Sequence, residues 1–99
     1  MLFMVLCYDK PNSASLRAET RPAHVRYLKD AGTRVKMAGP LLSPGDEQHP
    51  VGSLIVIDAA SEGAVKLFAE NDPYASAGLF ERVEIRPWRA ALGAWVPEA

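Results

Sequence analysis

Residues 53–59 read SLIVIDA, and the apolar core of this stretch decides the fold. Leu54, Ile55, Val56 and Ile57 follow one another without a polar break, and three of the four are β-branched. A run of this length, β-branched and bounded by polar turn residues, predicts a strand with apolar residues on both faces. A second such run, LFMVLCY at 2–8, ends at the turn-forming cluster DKPNS. Two other stretches alternate instead. In TRVKMAGPLLS (33–43), Arg34 and Lys36 are set on one side and Val35 and Met37 on the other, until Gly39-Pro40 breaks the regularity. In LFERVEIRPWRA (79–90), Val83 and Ile85 oppose Arg82, Glu84 and Arg86. Strands apolar on both faces belong in the middle of a sheet, and alternating strands belong at its edges.

Helices fill the gaps. SASLRAETRPAHVRYLKDAG (13–32) has helical spacing, with Asn12 or Ser13 as its cap and Gly32 as its stop. Pro22 is expected to interrupt it, giving a short first piece and a restart near Thr20 to Pro22. SEGAVKLFAEN (61–71) is amphipathic and capped by Ser61, with Ala64, Val65, Leu67 and Phe68 inward and Glu62, Lys66 and Glu70 outward. PGDEQHPVG (44–52) reads as a polar loop, and DPYASAG (72–78) as a turn or short helical segment. The tail LGAWVPEA (92–99) is left to a short strand or to packing elsewhere. The order β-α-β-β-α-β, with the first and third strands central, is the ferredoxin-like α+β plan with an antiparallel sheet. One domain over 1–99 is expected.

Both helices of that plan cover one sheet face. Leu54 and Val56 point one way and Ile55 and Ile57 the other, so an apolar face remains to be covered. A homodimer through the open sheet face, closing an α+β barrel, is the expected solution; cover by the C-terminal tail is the alternative.

Eleven basic residues balance twelve acidic ones, for a net charge of −1, with no long run of either sign. This favours neither nucleic acid nor an anionic membrane as partner. The start MLFMVLCYDK lacks a basic n-region, and its apolar run is too short to span a bilayer. A single cysteine, Cys7, excludes a disulfide framework and suits a reducing compartment, so a cytoplasmic location is expected.

The chemistry centres on RPAH (21–24). On a helical wheel, Arg26, Lys29 and Asp30 share one side, while Arg21, His24, Val25, Tyr27, Leu28 and Ala31 share the other. His24 therefore stands in an apolar arc with Arg21 one turn before it. A core histidine bonded to a backbone carbonyl would satisfy this pattern, and so would a general base. Asp72, before Pro73, is a natural helix cap; it could also fix the tautomer of His24. Ser53 could donate to a ligand, and Tyr74 and Trp88 could line a pocket, whereas His49 reads as solvated. Cys7, His24, His49 and the carboxylates show no metal-ligand spacing, there is no phosphate-cradling glycine loop, and no cofactor is implied.

Taken in order, RPAH opening a helix, AGPLL (38–42), GS (52–53) before an apolar strand, NDPYASAGL (71–79) and a strand ending RPW (86–88) resemble the YciI-like, or YCII-related, family. The resemblance implies a dimeric ferredoxin-like α+β barrel, similar to the muconolactone isomerase group. It also implies a His–Asp dyad in a small cleft. By position the dyad is His24 and Asp72, with Arg21, Gly39, Pro40, Ser53 and Tyr74 shaping the cleft. Some members resemble lyases or dehalogenating enzymes of hydroxylated aromatic rings, and others resemble accessory domains. Two readings follow: a cofactor-free acid–base enzyme of isomerase, lyase or dehydrochlorinase type acting on a small molecule, or a non-catalytic metabolite-binding or accessory dimer.

Overall fold

A computed structural model describes residues 1–96. The chain runs β1 (Leu2–Asp9), α1 (Ala14–Asp30), a single 3-10 turn (Gly32–Arg34), β2 (Val35–Ser43), β3 (Asp46–Asp58), α2 (Glu62–Glu70), α3 (Pro73–Ser76) and β4 (Phe80–Trp88). The four strands form one antiparallel sheet in the order β2-β3-β1-β4. The two continuously apolar strands occupy its centre and the alternating strands its edges, which is the ferredoxin-like arrangement.

Register explains the core. Phe3, Val5 and Cys7 of β1 stand opposite Ile57, Ile55 and Ser53 of β3, and this row faces the helices. With Val65 and Phe68 of α2 and Ala31 after α1, Phe3, Val5, Cys7, Ile55 and Ile57 form the buried cluster. The Tyr27 hydroxyl donates to the Phe68 carbonyl oxygen at 2.7 Å and ties α1 to α2. The alternate row, Leu2, Met4, Leu6 and Tyr8 beside Leu54 and Val56, lies on the other face. Its residues are half-buried, except Val56, which is buried. Leu92 and Trp95 of the tail are exposed, while Val96 is half-buried and lines a groove with Leu2 of that row. Residues 97–99 of the tail lie outside the described residues. Among the described residues, no helix is long and apolar enough to cross a membrane.

Several local expectations are corrected. Pro22 does not interrupt α1, which is continuous for 17 residues. A proline in a helix interior removes one hydrogen bond and crowds the preceding turn, at a cost of about 3 kcal/mol. Side chains on both halves of α1 are anchored to the rest of the molecule and override it, as described below. Ser13 is the N-cap, but its side chain makes no capping bond and donates instead to the Pro11 carbonyl oxygen. Residues 46–52 are strand rather than loop: β2 and β3 form a long hairpin turned at Pro44-Gly45, where Gly45 takes φ +78°. Register irregularities between Val35 and Met37 put Val35 opposite Ile57 and Met37 opposite Val56, so the two do not share a face. On α2, Ser61 caps as expected, accepting from the Ala64 N–H, but Leu67 is 61% exposed and Ala64 is exposed too; Val65 and Phe68 carry the inward face.

Candidate active site

The site lies between α1 and the β2–β3 hairpin. α1 supplies Arg17, Arg21 and His24 at spacings of four and three residues, one stripe of a continuous helix. Asp72 arrives from the loop before α3. It is the N-cap of that short helix, and its Oδ1 accepts from the Tyr74 N–H at 2.9 Å, with Pro73 in the first helical position.

His24 and Asp72 meet. His24 Nδ1 is 2.8 Å from Asp72 Oδ1 and 3.0 Å from Oδ2, with His24 8% and Asp72 1% exposed. An ionised carboxylate only accepts, so Nδ1 donates and carries the proton. In neutral His24 the lone pair is then on Nε2, which has no protein partner among the described residues. The imidazole stacks on Tyr74, centroids 4.0 Å apart and rings inclined by 20°. Burial pushes the Tyr74 hydroxyl up, against the nearby Arg17 and Arg21 guanidiniums.

A second buried pair sits one stripe position earlier. Arg17 donates from Nε to Asp9 Oδ2 at 2.7 Å, and from Nη2 to Asp9 Oδ1 at 3.1 Å and to Ser53 Oγ at 2.9 Å. Its guanidinium carbon lies 4.6 Å from the Tyr74 ring centroid. Burial opposes the charge on Arg17, but the Asp9 carboxylate outweighs it and holds Arg17 above its ordinary range. Cys7, behind these groups, is pushed up to about 12 by burial and by the negative charge of Asp72. It is a neutral thiol near pH 7 and no nucleophile.

A cleft of about 540 Å³ opens here, lined by His24, Arg21, Ser53, Tyr74, Gly39 and Pro40 among others. Asp72 sits behind His24 rather than on the wall. The seven residues that the resemblance implied, His24, Asp72, Arg21, Gly39, Pro40, Ser53 and Tyr74, therefore fall at one place. Trp88 does not: it stands 43% exposed at the sheet edge, lining a groove with Met1, Leu2 and Val96. Two features escaped the sequence reading. Arg17 and Asp9 form the second pair, and Arg17 lines the cleft; its i, i+4, i+7 relation to Arg21 and His24 is the signal, visible only if α1 continues through Pro22. His49, expected to be merely solvated, lies on the strand that forms the far wall and lines the cleft while remaining exposed. Among the described residues, no three His, Cys, Asp or Glu side chains come together as metal ligands.

The YCII-related domain matches residues 1–89. The chain belongs to the YCII-related family. It is 33% identical over 97 residues to the protein YciI of Escherichia coli, covering 90% of this chain and 97% of that one. A relative in Emericella nidulans, the derivative of benzaldehyde biosynthesis cluster protein C, is 41% identical over 70 residues, 63% of this chain and 70% of that protein. Among solved structures, the 5-chloro-2-hydroxyhydroquinone dehydrochlorinase TftG of Burkholderia phenoliruptrix, in complex with 2,5-dihydroxybenzoquinone, superposes with a TM-score of 0.86. The two are 33% identical, with 92% of this chain and 96% of that chain covered.

Proposed function

We propose that this YCII-related protein is a cofactor-free acid–base enzyme that moves protons on a small hydroxylated aromatic ring, with elimination of hydrogen halide as its reaction type. The observation that carries the proposal is the buried His24–Asp72 contact, with Nε2 left to the cleft. The similarity to a dehydrochlorinase supports the reaction type.

In loss of HCl from a chlorinated hydroxy-ring, two hydroxyl protons leave, one proton reaches the carbon bearing chlorine, and chloride departs with the bonding pair. The ring ends as a quinone and no external oxidant is consumed. In this reading His24 Nε2 takes a hydroxyl proton and the resulting imidazolium delivers a proton to carbon, while Asp72 holds the ring in place and stabilises its charged form. Tyr74 fixes the imidazole plane by stacking. Ser53, whose oxygen accepts from Arg17, keeps its own proton to donate to a ligand oxygen. Arg21 holds ligand oxygens, and Gly39 and Pro40 shape the wall opposite α1.

The test is chloride release from 5-chloro-2-hydroxyhydroquinone by the wild type and by His24→Gln. The Gln amide can still donate to Asp72, so the buried carboxylate is not left bare. Release by the wild type and its loss in the variant are expected. A ring bound but recovered unchanged would make the protein a binding module instead.

The same reading places a second copy on the open sheet face. Leu2, Met4, Leu6, Leu54 and Val56 form a continuous apolar row there, and a self-complementary two-fold contact buries it. Light scattering on the purified protein should give the mass of a dimer; a monomer at micromolar concentration would remove this part of the proposal.

A further inference from the structure

The cleft is electrically one-sided. Arg17, Arg21, His24 and Lys29 line it from α1 and His49 from the opposite strand, and no Asp or Glu lines it. This stands against a chain whose net charge is −1. The basic groups are not equivalent. Arg17 is neutralised by its paired bonds to Asp9, and His24 is held by Asp72. Arg21 and Lys29 have no ion pair among the described residues. The sequence offers them none along the helix either. Positions three and four away from Arg21 are Arg17, Ala18, His24 and Val25; those around Lys29 are Val25, Arg26, Gly32 and Thr33. Lys29 stands in the last turn of α1, where the unpaired carbonyls offset part of its charge. Arg21, in the middle of the helix, has no such compensation.

We infer that the cleft takes a ring that carries a permanent negative charge, a hydroxylated aromatic carboxylate, with its carboxylate on Arg21 and its ring hydroxyl at His24. This rests on the reading above and narrows its substrate class. Arg21 and His24 are three residues apart, about 4.5 Å along the helix axis, roughly the reach of one substituted benzene ring. Val25, Leu28, Ala38 and Pro40 add apolar lining to the same cleft, against which the ring can pack. The guanidinium suits a carboxylate because its fork meets both oxygens at once. Lys29, farther along the same wall, adds attraction at longer range.

The experiment compares two probes that differ in one group: 2,5-dihydroxybenzoate and hydroquinone, each titrated into the full chain by calorimetry. The carboxylate should bind about tenfold more tightly, the ratio that one charged hydrogen-bonded contact supports. That preference should shrink in about 1 M salt, where the Debye length is about 3 Å. It should disappear in Arg21→Gln, with a smaller loss in Lys29→Gln. Both positions are exposed, so these variants fold. Equal binding of the two probes, binding of neither, or a preference that survives Arg21→Gln overturns the inference. The same titrations in His24→Gln separate the two proposals: a carboxylate preference retained there stands even if the wild type releases no chloride.

Discussion

Changing Asp72 to Asn swaps one atom and should reverse the direction of one proton. In the native site the Asp72 carboxylate does two jobs: Oδ1 accepts from the Tyr74 N–H at 2.9 Å, and both oxygens face His24 Nδ1 at 2.8 and 3.0 Å. An Asn in its place must turn its oxygen to the Tyr74 N–H to remain a cap. Its NH₂ then takes the place of Oδ2, 3.0 Å from Nδ1, and donates to it, so Nδ1 accepts there in preference to donating to the already capped Oδ1 at 2.8 Å. The imidazole proton moves to Nε2, and the nitrogen beside the cleft becomes a donor that cannot take a proton from a ligand. Acid–base assistance contributes about 10²–10⁴ in rate, so chloride release should fall by that factor. The fold should survive. Asn caps about as well as Asp, and the lost charge-assisted bond costs about 1.5–3 kcal/mol against a total stability of about 5–15 kcal/mol. Nitrogen-15 NMR of the His24 ring reads the tautomer directly, and a chloride electrode reads the rate. A native His24 protonated on Nε2, or an Asp72→Asn variant that keeps the tautomer and the rate, would refute the reasoning.

Other consequences are independent of substrate. Arg17→Met leaves the Asp9 carboxylate, 7% exposed, and the Ser53 hydroxyl without their partner. It should destabilise the protein by about 3–5 kcal/mol, and Asp9→Leu added to it should recover much of that loss; urea midpoints test this, and additive losses would contradict it. Burial and the Asp72 charge push Cys7 up to about 12 in the fold, against about 8.5 for a thiol in an unfolded chain. The thiol therefore contributes stability that is full below about pH 8.5 and is lost as pH rises toward 12, by up to about 1.4 kcal/mol per pH unit. Alkaline denaturation of Cys7→Ala should lack this component. Gly52 lies opposite Tyr8 in the β1–β3 pairing, and an added Cβ would press on the Cys7 carbonyl oxygen and come within 2.9 Å of Leu41 Cδ1. Gly52→Ala should cost about 1–3 kcal/mol in thermal unfolding.

The fold was legible where burial is written as pattern. The unbroken runs at 2–8 and 54–57 marked the central strands because those strands carry apolar residues on both faces. Patterns that depend on distant anchoring were not legible. Pro22 is locally a helix breaker, but α1 is anchored on one side by Arg17 on Asp9 and on the other by His24 on Asp72 and Tyr27 on the Phe68 carbonyl. With the helix cut at Pro22, Arg17 dropped off the stripe that holds His24. Likewise PGDEQHPVG is rich in turn residues, yet β2 supplies the pairing that makes most of it strand and brings His49 to the cleft. His24 and Asp72 could be named from the sequence by residue type. Their contact follows from neither residue type nor spacing, because it spans 48 residues and is set by how α1 and α3 pack on one sheet face; only the family resemblance implied it.

The double duty of Asp72 confines what the chain can become. The residues that start a helix well are Ser, Thr, Asn and Asp; the side chains that carry negative charge are Asp and Glu. The two sets share one member. Drift to Ser or Asn would leave a well-formed α3 beside an imidazole with no counter-charge. Drift to Glu would keep the charge on a longer arm and loosen the turn that aims it. Selection for a stable fold and selection for the His24 contact thus act on the same position and select the same residue. Under the proposed acid–base reading, a copy of this chain that no longer needed that chemistry would still have reason to keep the Asp72 carboxylate, so of the two partners His24 is the one whose loss would signal a change of function.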